Sequence, residues 1–502
     1  MVGDLLTKEQ GNKDKLPFVR IIGAELKNFT SVEDGNIVFS CGKEKVPYNT
    51  KSDILGIYGQ NGSGKTSFIE ALDILRILMS GKSIPNYYAD CIAKGKEYAK
   101  LSFTFDFQYP NEIVRTIKYE FKLRVIDLDS EKVNIGYENE VIEVDNKNYI
   151  QVFDEIVSVT GGFEGKNIKM QSIIDTSLQD GVFGPVTKRK FFIDPKYKFS
   201  ELENDFLVYK KLALEKSQSF IFMDKVLNIF KEKGNNSDFF QVLKELKKYA
   251  SFFLKIIRTK DYALIRASRL SPFNLPLPVY FRFSDEPIFI GKGTVVSKDL
   301  YETLDKLFSN MNLVLRELLP DTDIRLKKLS PALLKSGEEG FAIDLVSIRN
   351  GFELPIRVES DGIKKLISSM SLIIDAFNVP SLTIAIDEFD AGVFEYLLGE
   401  ILEIFEVNGK GQFIFTSHNL RPLEVINKNF LTFTTINPKN RYVRMKNIYP
   451  THNLRDRYFH EILNNGQDEV LYKQSKDYKI IQAFQKAYYD VDGLAVTRNK
   501  RD

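Results

Sequence analysis

The clearest chemical pattern in the sequence is the glycine-rich run GQNGSGKT at residues 59–66, which fits the spacing GxxxxGK[ST]. It lies between a short apolar stretch that reads as a strand and a segment with apolar residues at helical spacing. In such a loop, backbone N–H groups at a helix N-terminus cradle phosphate oxygens, a lysine neutralises phosphate charge and a threonine binds Mg²⁺. The residues expected to act here are Gly59, Asn61, Gly62, Ser63, Gly64, Lys65, Thr66 and Ser67.

A second pattern, LTIAIDEFDAG at residues 382–392, is an apolar strand that ends in an acidic pair. Asp387 at the carboxyl end of a strand is suited to hold Mg²⁺, and Glu388 beside it to activate an attacking water. A third pattern, GQFIFTSHNL at residues 411–420, is another apolar strand, and His418 follows its end. A histidine there is placed to reach a terminal phosphate.

Each pattern also has a purely structural interpretation. The first can be a glycine-rich turn, the second a buried strand with an ordinary acidic end, and the third a histidine that only satisfies its neighbours. The occurrence of all three patterns in this order favours a phosphate-binding site.

Composition excludes some classes of protein without naming a partner. The chain has 502 residues, enough for about three domains or for one large domain with an insertion, and its net charge is +2. A content of 43% hydrophobic residues, with 39 Phe and 23 Tyr, is typical of a globular chain. Two cysteines, Cys41 and Cys91, and three histidines are too few for a zinc cage or a disulfide framework. With no apolar leader or membrane-spanning stretch, we expect a cytoplasmic protein without membrane contact.

The elements that would position these residues follow from the periodicity. Residues 18–39 read as a hairpin, and residues 100–152 alternate with period two, which predicts an antiparallel sheet. Residues 201–258 have helical spacing. After residue 360, helices alternate with apolar strands, a pattern typical of a parallel sheet.

The three patterns in this order resemble the ATP-binding-cassette (ABC) type of ATPase found in SMC, RecF and OLD-like proteins, over about residues 18–152 and 340–435. The resemblance implies an α/β fold: an ABC-ATPase-like P-loop head, with a mixed sheet and an antiparallel β subdomain, that is split by a helical insertion. The expected parts are an N-terminal half of the head at 1–160, a mainly helical insertion at 161–290, a C-terminal half at 291–450 and a helical tail at 451–502.

The same resemblance implies roles for individual residues. Asp387 would be the Walker B aspartate, Glu388 the catalytic base, Asp390 the D-loop residue and His418 the switch histidine. The class also needs a signature motif, which a partner subunit offers to the bound nucleotide.

The matching stretch for that motif is VESDGIKKLI, in which Ser360 and Gly362 would act and Asp361 departs from the usual glycine. An ordinary helix N-cap at Ser360 or Asp361 is the alternative. Gln108 is the candidate for the Q-loop glutamine.

Within the class, the degenerate signature and the tail are similar to the small OLD-like ATPases of bacterial antiphage systems, such as PARIS, Septu and abortive-infection loci. That likeness implies ATP and Mg²⁺ as ligands, a homo-oligomer with dimeric ATP sites or a hexamer, and a separate effector such as a nuclease or toxin. The expected function is an ATP-hydrolysing switch of a defence system.

Two alternatives stay open. A RecF-like or SMC-like repair ATPase would bind DNA in an ATP-dependent way, and an ATP-stabilised scaffold would bind a protein partner without turnover. Basic clusters occur at residues 188–190, 244–260, 325–328 and 498–501, so DNA contact is one interpretation. With a net charge of +2, solvated surface is the interpretation that we favour for them.

Overall fold

The computed structural model describes residues 17–39, 51–109, 114–126, 149–177, 181–261, 292–445, 453–464, 469–472 and 477–498. Side chains are described as far as residue 487. Within these ranges, no helix is both long enough and apolar enough to cross a membrane.

The described strands fall into three sheets. They are, in chain order, β1 (Phe18–Phe29), β2 (Val32–Val38), β3 (Asp53–Tyr58), β4 (Ala99–Gln108), β5 (Val114–Ile126), β6 (Tyr149–Phe163), β7 (Lys166–Asp175), β8 (Leu254–Ile257), β9 (Thr294–Ser297), β10 (Thr322–Leu333), β11 (Glu339–Arg349), β12 (Phe352–Pro355), β13 (Thr383–Ile386), β14 (Gln412–Thr416), β15 (Leu431–Thr434) and β16 (Tyr442–Val443).

The described α-helices lie between and after these strands. They are α1 (Lys65–Met79), α2 (Phe199–Glu215), α3 (Asp224–Lys233), α4 (Asp238–Lys248), α5 (Lys298–Leu318), α6 (Asp361–Asn378), α7 (Glu395–Asn408), α8 (Pro422–Val425), α9 (Leu454–Asn464) and α10 (Asp477–Arg498).

The first sheet is antiparallel, with strand order β2-β1-β4-β5-β6-β7. Its period-two pattern is clearest in β5, where Ile117, Tyr119, Phe121 and Leu123 are buried and the residues between them are partly exposed. The buried face packs in one core with α1 and with the helices α2 to α4. The antiparallel subdomain expected from the sequence is therefore present.

The central sheet has the order β16-β15-β3-β14-β13-β8, and all its described pairings are parallel except the one between β15 and β16. Its strands are buried on both faces: Leu55 and Ala385 face the first core, while Ile54 and Ile384 face a second core built with α5, α6 and α7. Because parallel strands end at the same edge, the segments after β3, β13, β14 and β8 meet there. This α/β arrangement, with a P-loop following β3, confirms the predicted fold class.

The helices between the two halves of the chain are not a detached unit. The expected boundary between residues 160 and 161 falls inside β6, and β8, at the end of the helical segment, pairs with β13 of the central sheet. Residues 262–291 of the expected insertion lie outside the described residues. A further antiparallel sheet, in which β11 pairs with β9, β10 and β12, precedes α6.

Gln412 fastens the first sheet to the central sheet. Its buried amide accepts from the Ile21 backbone N–H at 2.9 Å and donates to the Ile21 carbonyl at 2.8 Å. It also donates to the Asp53 carboxylate at 2.9 Å and accepts from the Thr383 hydroxyl at 3.0 Å. One side chain at the start of β14 thus joins four strands at the amino edge of the central sheet.

We predict that Gln412→Leu lowers the free energy of unfolding by roughly 2–4 kcal/mol, because it leaves several buried polar groups without their partner. Urea denaturation followed by circular dichroism measures the change. Glu403→Gln, at an exposed position of α7, is the control and should stay within about 0.5 kcal/mol of the wild type. Equal midpoints for the two variants would show that the amide contributes little.

Candidate functional site

The loop at residues 59–64 has the shape of a phosphate cradle. Gly59 has φ +152°, and a Cβ built on it would lie 1.7 Å from the Thr434 hydroxyl, so no side chain fits at this position. Helix α1 begins directly after the loop at Lys65, and its first N–H groups have no partner within the helix. Asn61, Gly62 and Thr66 are exposed, whereas Ser63 and Gly64 are buried.

Lys65 lies inside this loop. Its ammonium donates to the carbonyl oxygens of Gly59 at 2.8 Å and of Gln60 at 3.1 Å. Burial lowers the pKa of Lys65, and the nearby Asp387, Glu388 and Asp390 carboxylates oppose that shift. The cation and the three carboxylates are thus gathered in one place, although they are more than 300 positions apart in the sequence.

Ser63 in the loop and Ser67 in the first turn of α1 both form side-chain hydrogen bonds with other parts of the fold. Ser63 donates to the Gln60 carbonyl at 2.5 Å and is hydrogen-bonded to Thr434, and Ser67 is hydrogen-bonded to Thr30. Their hydroxyls therefore help to fix the shape of the loop, and the Ser63 backbone N–H also donates to the Gln60 carbonyl, at 3.2 Å.

Asp387 is the centre of the site. It is fully buried at the end of β13, and its Oδ1 accepts from the hydroxyls of Thr416 at 2.6 Å and Thr66 at 3.3 Å. Its Oδ2 accepts from the hydroxyl of Thr259 at 2.6 Å. The carboxylate therefore joins the P-loop to the ends of β14 and β8.

Glu388, the next residue, has a strained backbone. Its φ is +47°, a left-handed conformation that costs a residue with a side chain of the order of 1–2 kcal/mol. Its N–H donates to the Thr416 hydroxyl at 2.7 Å, and its carbonyl accepts from Lys365. Backbone strain of this kind is often found at functional sites.

Asp390 ties the loop after β13 to the loop after β14. Its Oδ2 accepts from the backbone N–H groups of His418 and Asn419, both at 2.9 Å. Partial burial lowers the pKa of His418 and the Lys65 cation lowers it further, while the carboxylates of Asp390, Glu388 and Asp387 raise it. His418 therefore lies within electrostatic reach of the P-loop lysine.

The signature-like segment lies next to the same loops. Ser360 is the N-cap of α6, since its hydroxyl accepts from the Ile363 N–H at 3.4 Å, as the alternative interpretation expected. A Cβ on Gly362 would lie 1.7 Å from the Gly392 carbonyl oxygen, so α6 begins against the loop that follows Asp390. Among the described residues, Ser360 makes no hydrogen bond with the P-loop of its own chain.

The prediction that Gln108 is the Q-loop glutamine was wrong. Gln108 pairs with Phe18 at the end of β4, and the neighbouring Val19 N–H donates to Ser381, which precedes β13. Gln108 therefore lies toward the amino edge of the central sheet, opposite the P-loop.

Thr259 was not among the predicted site residues. It follows β8, the strand that pairs with β13, and its hydroxyl donates to the Asp387 carboxylate. Sequence reasoning missed it because the apolar run before it reads as the end of a helix.

The fold and the site define a P-loop ATPase head of the ABC type. Residues 54–424 match the family model described as "AAA domain, putative AbiEii toxin, Type IV TA system". The match spans well over half of the chain, and the protein belongs to this family. No curated protein matches the sequence.

Several solved structures are similar to this chain, all at low sequence identity. An SMC head bound to the C-winged helix domain of ScpA is 13% identical, over 85% of this chain and 97% of that one, with a TM-score of 0.37. The SMC head domain from Thermotoga maritima is 12% identical, over 85% and 100%, with a TM-score of 0.34. The recombination mediator RecF with ATPrS is 15% identical, over 81% and 95%, with a TM-score of 0.32. Since these scores lie below 0.5, the assignment rests on the family match and on the observed topology.

We predict that Thr259→Val slows ATP turnover about tenfold, because it removes the hydrogen bond to Oδ2 of Asp387 while keeping the side-chain volume. Thr259→Ser keeps the hydroxyl and should stay within about threefold of the wild type. Steady-state phosphate release measures both variants. Equal rates for Val and Ser would show that the hydroxyl does not matter.

The pKa of His418 provides a further test of the site. An NMR titration should place it below the ordinary value of about 6.5, since burial and the Lys65 cation both favour the neutral imidazole. Lys65→Met removes that cation and should raise the His418 pKa. An unchanged midpoint in the variant would show that the two groups do not interact.

Proposed function

We propose that this protein binds ATP with Mg²⁺, hydrolyses it, and acts as the switch subunit of a bacterial antiphage system of the abortive-infection type. The observation that carries the proposal is the position of Asp387, which is hydrogen-bonded to Thr66 of the P-loop and directly followed by Glu388. This juxtaposition supplies a metal-binding carboxylate, a hydroxyl ligand and a candidate base at one edge of the sheet.

The residues present fit a nucleotide and its metal ion. The glycine cradle, the free N–H groups at the start of α1 and the Lys65 ammonium suit the phosphates, and Thr66 and Asp387 supply the hard oxygen ligands that Mg²⁺ prefers. Thr66 and Asp387 would hold the ion, which when bound offsets the negative charge on the phosphate oxygens.

In ATP hydrolysis, each of the site residues would have a separate role. Lys65 neutralises phosphate charge, Glu388 accepts a proton from the attacking water, and His418 presents a neutral imidazole to the terminal phosphate. Asp390 holds the His418 loop beside Glu388 through its two backbone hydrogen bonds. Each of these roles is implied by the resemblance, and the contacts around each side chain support it.

We further propose that each site is completed by a second copy of the chain, which offers Ser360 and Gly362. Ser360 is exposed at the start of α6. Two exposed apolar side chains flank this end of the helix, Val358 (63% exposed) and Phe394 (68%). Large apolar groups beside an exposed helix N-terminus suit a protein interface.

The charges of the first sheet favour a switch over a DNA clamp. Four lysines of this sheet are paired with carboxylates across the strands, which reduces the positive charge that these side chains offer to a phosphate backbone. The ion pairs are Lys27–Asp34, Lys100–Glu120, Lys118–Glu25 and Lys122–Asp154. The description of the family as a putative toxin of a toxin–antitoxin system supports a role in an abortive-infection system. A separate effector under the control of this ATPase, such as a nuclease or toxin, is implied by the resemblance alone.

We predict that Glu388→Gln and Lys65→Ala each lower ATP turnover at least 100-fold, because one removes the general base and the other the phosphate-binding cation. Phosphate release under saturating ATP and Mg²⁺ measures the effect. Glu400→Gln, at an exposed position of α7, is the matched acidic control and should keep wild-type turnover.

Unchanged turnover in both site variants would refute the assignment. In Glu388→Gln, which is expected to bind ATP without hydrolysing it, light scattering should also show a larger assembly when ATP and Mg²⁺ are added. An unchanged mass under these conditions would count against sites shared between subunits.

A further inference from the structure

Helix α6 carries a buried lysine that contacts the catalytic loop. Lys365 is only 4% exposed, and its ammonium donates to the backbone carbonyl of Glu388. A buried ammonium is unfavourable unless it is hydrogen-bonded or paired, and an apolar side chain would fill this position at a lower desolvation cost. A lysine here therefore suggests a function for its hydrogen bond.

The contact falls on the strained residue of the site. Glu388 has φ +47°, its N–H is held by the Thr416 hydroxyl, and its carbonyl is held by Lys365. The peptide groups on both sides of its Cα are therefore fixed by side chains from two other elements. Fixing both peptide groups sets the direction in which the Glu388 carboxylate leaves the backbone.

A second contact locks α6 to the same loop. One turn before Lys365, Gly362 packs so closely on the Gly392 backbone that a Cβ would lie 1.7 Å from its carbonyl oxygen. The helix thus touches the loop on both sides of Asp390, while its first residues, Ser360 and Asp361, are exposed.

We propose that Lys365 is a positioning residue for Glu388: its hydrogen bond to the Glu388 carbonyl sets the direction of this carboxylate. The inference rests on the proposed function, in which Glu388 is the base. Lys365 is assigned no contact with the nucleotide, and its proposed role runs through its hydrogen bond to the Glu388 backbone.

Lys365→Met tests the proposal, because it keeps the length and burial of the side chain and removes the donor. We expect kcat to fall at least tenfold, while the Kd for ATP, measured with a fluorescent ATP analogue, stays within twofold of the wild type. Lys365→Arg keeps a donor and should recover most of the turnover.

Lys364→Met is the matched control. Lys364 is also buried, at 7% exposure, but its ammonium lies 3.6 Å from the Asp361 carboxylate of its own helix. Removal of this lysine should leave both kcat and Kd within twofold of the wild type.

The outcomes distinguish a failure of the positioning role of Lys365 from a failure of the proposed ATPase function. Should Lys365→Met not fold, as judged by circular dichroism and gel filtration, the milder Lys365→Gln replaces it and should lower kcat severalfold at unchanged Kd. Wild-type turnover in a folded Met or Gln variant, or an equal loss in Lys364→Met, would overturn the positioning role. If instead the wild type shows no ATP turnover, or Glu388→Gln keeps full turnover, the proposed function itself fails.

Discussion

The structure of the site depends on one buried carboxylate. Asp387 accepts hydrogen bonds from threonine hydroxyls on three separate elements: the start of α1, the segment after β8 and the end of β14. A buried carboxylate without partners would be strongly destabilising, so these hydroxyls and the carboxylate hold one another in register. The arrangement brings the P-loop and the acidic loop together and leaves Glu388 at their junction.

The remainder of the fold keeps that junction rigid. The central sheet is packed on both faces, with the antiparallel sheet and α1 on one side and α5 to α7 on the other. Gln412 fastens the far edge of the central sheet through four hydrogen bonds, and Asp390 ties the loop that carries His418. Strain in the Glu388 backbone can persist because the contacts of Thr416 and Lys365 hold it on either side.

Sequence patterns predicted the parts whose chemistry is local. The P-loop has its own motif, and Asp387, Glu388 and His418 follow strands that are recognisable by their apolar runs, so the parallel-strand rule places them at one edge. The α/β class and the antiparallel sheet followed from the same periodicities.

Residues that act through tertiary contacts gave no such signal. The apolar run before Thr259 was interpreted as the end of a helix, and Gln108 was chosen by residue type although its strand runs toward the opposite edge. Lys365 reads as an ordinary charged helix residue, and only the packing of α6 against the loop after β13 shows that it is buried.

The most direct test of the central claim is the Mg²⁺ dependence of ATP binding, measured by isothermal titration calorimetry on the wild type and on Asp387→Asn. The account predicts that Mg²⁺ strengthens binding at least tenfold in the wild type, and that this gain is lost in Asp387→Asn while weak metal-free binding persists. An equal gain from Mg²⁺ in both proteins would contradict the assignment of Asp387 as the residue around which this site is built.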